Sequence, residues 1–119
     1  MRRIRERPKP PQGNKLPLWI GGSSKAAIRR TGRIGTGWQA GNETPAELKP
    51  VIAAIKQAAA DHGRTIPADH YGAGFHYRFG SWDDDATRRV AESYKERSGG
   101  RDPRDHLAVG GAADIVRRI

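Results

Sequence analysis

The sequence contains no cysteine, so disulfides, thiolate metal sites and thiol nucleophiles are excluded. Aromatics are scarce: three Trp, three Tyr and two Phe in 119 residues. No apolar run approaches the roughly 18 residues of a membrane span. The N-terminus, MRRIRERPKPPQ, has the positive charge of a signal peptide but no apolar stretch behind it. A soluble cytoplasmic protein with no membrane partner is the expectation. Apolar residues are few as well, at 35%, with a mean hydropathy of −0.80. That is lean for a self-sufficient core. The four histidines (His62, His70, His76 and His106) show no HxH or HxxxH spacing, so no metal site is proposed. They also lack a paired acid and nucleophile at useful spacing, and no catalytic residue is assigned.

Positive charge is abundant, but it is concentrated. The formal net charge is +9. Residues 1–30 carry nine Lys/Arg against one acid, whereas residues 31–119 carry 13 bases against 12 acids. The basicity therefore belongs to a Pro-rich lead-in over residues 1–15 and the segment just after it. Such an arm suits non-specific contact with phosphate backbones, and a nucleic-acid-interacting protein or a non-functional truncated one is the competing class. No aromatic is interleaved with the arm, so no specific nucleic-acid platform is visible.

Along the chain, Leu16 to Ile20 is a short apolar run closed by Gly21-Gly22, which predicts a buried strand. Ser23 and Ser24 offer N-caps for a helix from Lys25, with Ala27, Ile28, Thr31 and Ile34 on its inner stripe. Gly37 to Ala40 predicts a second strand. Thr44-Pro45-Ala46-Glu47 combines an N-cap, a first-turn proline and a capping-box glutamate, and the helix it opens should end near Gly63. Tyr71 to Phe79 alternates with period two and predicts one strand of nine residues. Asp83, Asp84 and Asp85 open another helix, to Ser98-Gly99-Gly100. Three adjacent carboxylates at a helix start suit the positive end of the dipole far better than one ion. A last helix is expected over Ile115 to Ile119. Helices between strands predict parallel βαβ units, with three parallel strands in all.

One junction carries chemistry. Trp19-Ile-Gly-Gly-Ser-Ser24 takes a strand through two glycines and two hydroxyls into a helix. Bare backbone, first-turn N–H groups and the nearby Lys25 suit a phosphate. The same residues also suit a capped turn that binds nothing, and neither a Walker A loop nor GxGxxG is present. On a shared face of the 71–79 strand, His76 and Arg78 would either approach an active-site mouth or form an outward polar face. Trp19 and Trp38 fit core packing best.

The segment Pro17-Leu-Trp-Ile-Gly-Gly-Ser-Ser-Lys-Ala-Ala-Ile-Arg-Arg30, followed by Gly35-Thr-Gly-Trp38, resembles the central signature of the bacterial luciferase-like monooxygenase family. It is most similar to the members that use the deazaflavin coenzyme F-420. Pro8-Lys-Pro-Pro-Gln12, the Gly63-Arg64 pair and Leu107-Ala-Val-Gly-Gly-Ala-Ala-Asp-Ile-Val-Arg-Arg-Ile119 support the resemblance. Thr36 replaces the aspartate of the family's GDGW turn, and Gly111-Ala112 replaces its Thr-Pro or Ser-Pro. The resemblance implies an α/β fold, a partial (β/α)8 TIM-like barrel in which residues 16–119 are the C-terminal part. It implies a flavin-type cofactor, coenzyme F-420 or alternatively FMN, and a small-molecule substrate in the full-length parent. The cofactor phosphate would meet Gly21, Gly22, Ser23 and Ser24, then Gln39, Ala40, Gly41 and Asn42. An open barrel piece is expected to self-associate or to pair with the missing barrel part.

Overall fold

The computed structural model describes residues 8–118. Residues 1–7, which hold most of the basic arm, and Ile119 at the end of the last expected helix lie outside the described residues. Residues 8–18 carry a single 3-10 turn, Gly13–Lys15, before the first strand. The strand itself is β1, Trp19–Gly21, shorter and later than the apolar run suggests. Helix α1, Lys25–Ile34, leads to β2, Gly37–Ala40, and helix α2, Pro45–Asp61, leads to β3, Tyr71–Ala73. Strands β1, β2 and β3 pair in sequential order, all parallel, with Trp19 opposite Gly37 and Trp38 opposite Tyr71.

The expected nine-residue strand over 71–79 is instead two. After Gly74 the chain resumes as β4, His76–Phe79, and pairs with a different partner, β5, Leu107–Gly110. Alternation runs unbroken through both pieces, so periodicity cannot mark the break. Gly72 and Gly74 bring no side chains to hold the segment in one sheet. Strand β5 is four residues ending at a Gly pair, and it reads as loop in isolation. Five parallel strands in two sheets thus replace the three expected. Between β4 and β5 lie α3, Asp85–Arg97, and the short α4, Pro103–His106; α5, Ala112–Arg118, follows. No helix among the described residues is long and apolar enough to cross a membrane.

Helices α1 and α2 pack side by side on one face of the first sheet. Trp38 and Ala40 of β2 meet Ile55 and Ala59 of α2 and Ile66 in the core, with Ile28, Leu48 and Tyr71 packed around them. Sequential parallel strands with both helices on one face are the arrangement of a barrel segment; a doubly wound sheet would be covered on both sides. The opposite face is open. Trp19 is 48% exposed and its ring lies over Gly37, while the Gln39 side chain lies across Gly72. In the second sheet Tyr77 and Phe79 are exposed in the same manner.

Two contacts fix α1 against α2. Gly32 sits so close to Ala58 that a Cβ there would come within 2.5 Å of the Ala58 methyl. Arg64, just past the end of α2, donates from Nη1 to the Gly32 carbonyl at 2.6 Å and the Thr31 carbonyl at 3.3 Å, and from Nη2 to the Gly35 carbonyl at 2.5 Å. The Gly32 and Gly35 carbonyls are ones the helix cannot satisfy itself, whereas the Thr31 carbonyl already accepts the Gly35 N–H at 2.8 Å. The Gly63-Arg64 pair thus ends one helix and caps another. Thr36, where the family's turn has aspartate, keeps the turn closed through its hydroxyl, which accepts the Leu18 N–H at 2.9 Å.

Two outcomes follow for stability. Arg64→Ala is expected to lower unfolding free energy by about 2 kcal/mol, since charge-assisted bonds to partly buried carbonyls are lost together; urea titration followed by circular dichroism checks this. The Tyr71 hydroxyl is buried without a partner among the described residues. Burial pushes its phenol up. Tyr71→Phe removes the orphan hydroxyl and keeps the ring, so the urea midpoint should stay level or rise, by up to about 1 kcal/mol in free energy.

Candidate functional site

The junction singled out in the sequence lies at the C-terminal end of β1. Gly22 adopts φ +89, a backbone conformation that side-chain-bearing residues rarely tolerate. A Cβ there would also come within 3.3 Å of the Ala27 methyl. Ser24 is the N-cap of α1, its side chain accepting the Ala27 N–H at 3.2 Å. The Lys25 and Ala26 N–H groups have no hydrogen-bond partner among the described residues, as expected for a first helical turn. The turn's position is set from below. Trp38, 1% exposed in the core, donates its indole Nε1–H to the Gly22 carbonyl at 2.8 Å.

The loop after β2 lies beside this turn, because Gly21 is in register with Gln39. Ala40 is buried in the core and offers only its backbone. Gln39 turns to the open face, over Gly72. Gly41 and Asn42 are exposed at the strand end. The Gly41 N–H is taken by the Glu43 carboxylate, whose Oε2 accepts it at 2.7 Å. The Ser23 side chain lies close enough to that carboxylate to help lower its pKa. From the other half of the chain, Arg101 donates from Nη1 to the Asn42 carbonyl at 2.6 Å and to Glu47 Oε2 at 3.2 Å. Glu47 is the capping-box residue of α2, and its carboxylate also accepts the Thr44 N–H at 2.8 Å.

The structure therefore brings Gly21, Gly22, Ser23, Ser24, Gly41 and Asn42 together, and it leaves Gln39 and Ala40 as flanking positions. Glu43 and Arg101 are additions that sequence reading misses. Glu43 sits one residue outside the motif. Arg101 lies 59 residues from Asn42, and no local pattern connects them. Trp38 is both core, as read from the sequence, and the anchor of the turn. His76 and Arg78 do not approach this region. Arg78 faces α3, where its Nε donates to Thr87 Oγ1 at 2.9 Å. Among Asp83, Asp84 and Asp85, Asp84 is the N-cap of α3, and its side chain accepts the Thr87 N–H at 2.6 Å.

The electrostatics of the loop give a pH dependence. Burial pushes the Glu43 carboxyl up, but the Ser23 hydroxyl, the Glu43 and Gly41 backbone groups and the Arg101 charge outweigh it, so its pKa falls below the ordinary 4.5. A carboxylate with a lowered folded-state pKa stabilises above its unfolded value, and that contribution disappears as pH falls through the folded value. The loop conformation should thus hold above pH 4.5 and loosen below it. The Gly41 amide resonance, followed by NMR from pH 6 to 3, is expected to titrate in the wild type and to stay flat in Glu43→Gln.

The model of the luciferase-like monooxygenase family matches residues 1–117. Uncharacterised proteins from Mycobacterium bovis and Mycobacterium tuberculosis are each 38% identical to this chain over 52 residues. The matched stretch is 44% of this chain and 18% of each relative, so the chain corresponds to well under two thirds of their length. Among solved structures, the coenzyme F420-dependent tetrahydromethanopterin reductase from Methanopyrus kandleri is similar at 22% identity with a TM-score of 0.49, over 74% of this chain and 28% of that one. With a family match over nearly its whole length, and parallel strands with flanking helices beneath it, the chain belongs to the luciferase-like monooxygenase family.

Proposed function

We propose that residues 16–119 are the C-terminal part of a luciferase-like barrel and supply part of the phosphate site for a flavin-type cofactor, coenzyme F-420, in an oxidoreductase that transfers hydride. The observation that carries this reading is the Gly21–Ser24 turn. It joins the C-terminal end of a strand to the N-terminus of α1, where α/β folds hold phosphates. Gly22 leaves the backbone bare, and the Lys25 and Ala26 N–H groups are open to an acceptor. These groups fit a phosphate: donors and a partial positive charge, with no side chain in the approach. Ser24 holds the first turn in place, and Lys25 adds a full charge. When bound, the deazaflavin supplies the hydride chemistry; this chain's residues bind and orient its phosphate end. The F420-dependent activity named for the Methanopyrus protein is consistent with this choice of cofactor.

The test is a titration of inorganic phosphate, FMN and coenzyme F-420 into the wild-type chain, Gly22→Val and Ser24→Ala, with amide shifts at residues 22–26 as the readout. Wild type should respond to all three ligands, and to F-420 most strongly. Gly22→Val should lose the response, because a β-branched side chain fills the approach and opposes the φ of +89. Ser24→Ala should weaken it and cost about 1 kcal/mol of stability. Equal affinity in wild type, Gly22→Val and Ser24→Ala would place the phosphate elsewhere and make this turn a helix cap and nothing more. Tighter binding of FMN than of F-420 would move the protein to the flavin monooxygenases of the same family.

A further inference from the structure

Helix α3 does not close down fully on the β4–β5 sheet. A cavity of about 150 Å³ lies between them. Val90 and Tyr94 of α3 and Leu107 and Val109 of β5 make its walls apolar, and Arg78 and His76 of β4 with Thr87 and Arg97 of α3 supply its polar part. Of these, Tyr94 and Leu107 are buried.

Arg78 is a half-buried cation held by a built support. Its Nε donates to Thr87 Oγ1 at 2.9 Å, and Thr87 is fully buried. Asp84, the N-cap of α3, accepts the Ser81 and Thr87 backbone N–H groups at 2.9 and 2.6 Å and so holds Thr87 in place. The Thr87 hydroxyl accepts from Arg78 and holds the guanidinium beside α3. One of the five guanidinium N–H groups is thereby used. The others make no hydrogen bond or ion pair among the described residues, although the cavity wall beside them is apolar. A charge in such surroundings is stabilised by an anion that matches its fork.

We propose that this cavity binds a small monocarboxylate with an apolar body, of benzoate size, whose carboxylate lies on Arg78 and whose body fills the space between Val90, Tyr94, Leu107 and Val109. The volume sets the size, since an apolar cavity of about 150 Å³ accommodates benzene. The walls select the body: a bare phosphate or sulfate would leave them without contacts. This site is independent of the Gly21–Ser24 turn.

The probes are benzoate, benzamide and inorganic phosphate, titrated into the full chain with NMR shifts of Arg78, Thr87 and Tyr94 as the readout. Benzoate should bind at least about tenfold more tightly than benzamide, the scale of one charge-assisted pair. Phosphate should not displace it. Arg78→Met should erase the preference for benzoate over benzamide. Val109→Phe, which fills the cavity, should abolish binding of both aromatic probes. Absence of benzoate binding overturns the proposal, as does equal affinity for benzoate and benzamide; both are read on wild type and need no variant to fold. Displacement by phosphate would show a plain anion site and would overturn it as well.

Discussion

The indole of Trp38 joins the core to the turn after β1. Its ring is the largest fully buried side chain and sits at the centre of the core with Ile55 and Ala59. Its single N–H reaches past the core to the Gly22 carbonyl. Packing therefore fixes the turn: the ring cannot move without opening a cavity in a densely packed region, and the carbonyl cannot move without leaving a buried donor unpaired. A glycine-rich junction would otherwise be the softest part of a βα unit, since two glycines in sequence lose most conformational freedom on ordering. Here the rigidity comes from a residue sixteen positions away, on the neighbouring strand.

Much of this was legible in the sequence because it rests on local rules. The capping box at Thr44–Glu47, the N-cap at Ser24, the helix start at Asp83–Asp85 and the period-two run of Tyr71–Ala73 and His76–Phe79 each follow from residues within one turn or one strand. What was illegible is non-local. The division of that run between two sheets is decided by partners, β2 for one piece and β5 for the other. Strand β5 exists because Leu107 and Ala108 have a neighbour in β4, and its four residues carry no signal alone. Arg64 and Arg101 look like surface arginines in sequence, yet each closes a contact across tens of residues. At the site, the glycines and serines were readable, while Glu43 and Arg101 were not.

The open face of the first sheet has its own logic. Gly37 and Gly72 face it where a larger residue would collide: a Cβ on Gly37 would meet the Trp19 ring at 2.9 Å. One broad ring over glycines on adjacent strands is the alternation of large and small residues that fills the interior of a small barrel. Tyr77 and Phe79 stand 5.8 Å apart, ring to ring, on exposed positions of β4. These side chains are shaped for an interior layer, and their exposure describes a sheet whose second side is uncovered. The lean composition agrees, since one covered face requires fewer apolar residues than two.

Charge decides how the two sides of the candidate site differ. On the α1 side, the Lys25 and Ala26 N–H groups and the Lys25 ammonium present only donors and positive charge. On the loop side, the backbone donors are already in use: Glu43 holds the Gly41 N–H, and Glu47 holds the Thr44 N–H. Two carboxylates there face one guanidinium, Arg101. An incoming oxyanion is attracted by the helix start and repelled by the loop, so its favourable position is against α1, with Gly22 beneath it. The loop carboxylates then act on position. They order the loop through their hydrogen bonds, and like-charge repulsion keeps an anion from sliding across the strand ends toward Asn42. Arg101, from the loop between α3 and α4, pairs with Glu47 and the Asn42 carbonyl, so the half of the chain that does not carry the turn still shapes the field around it.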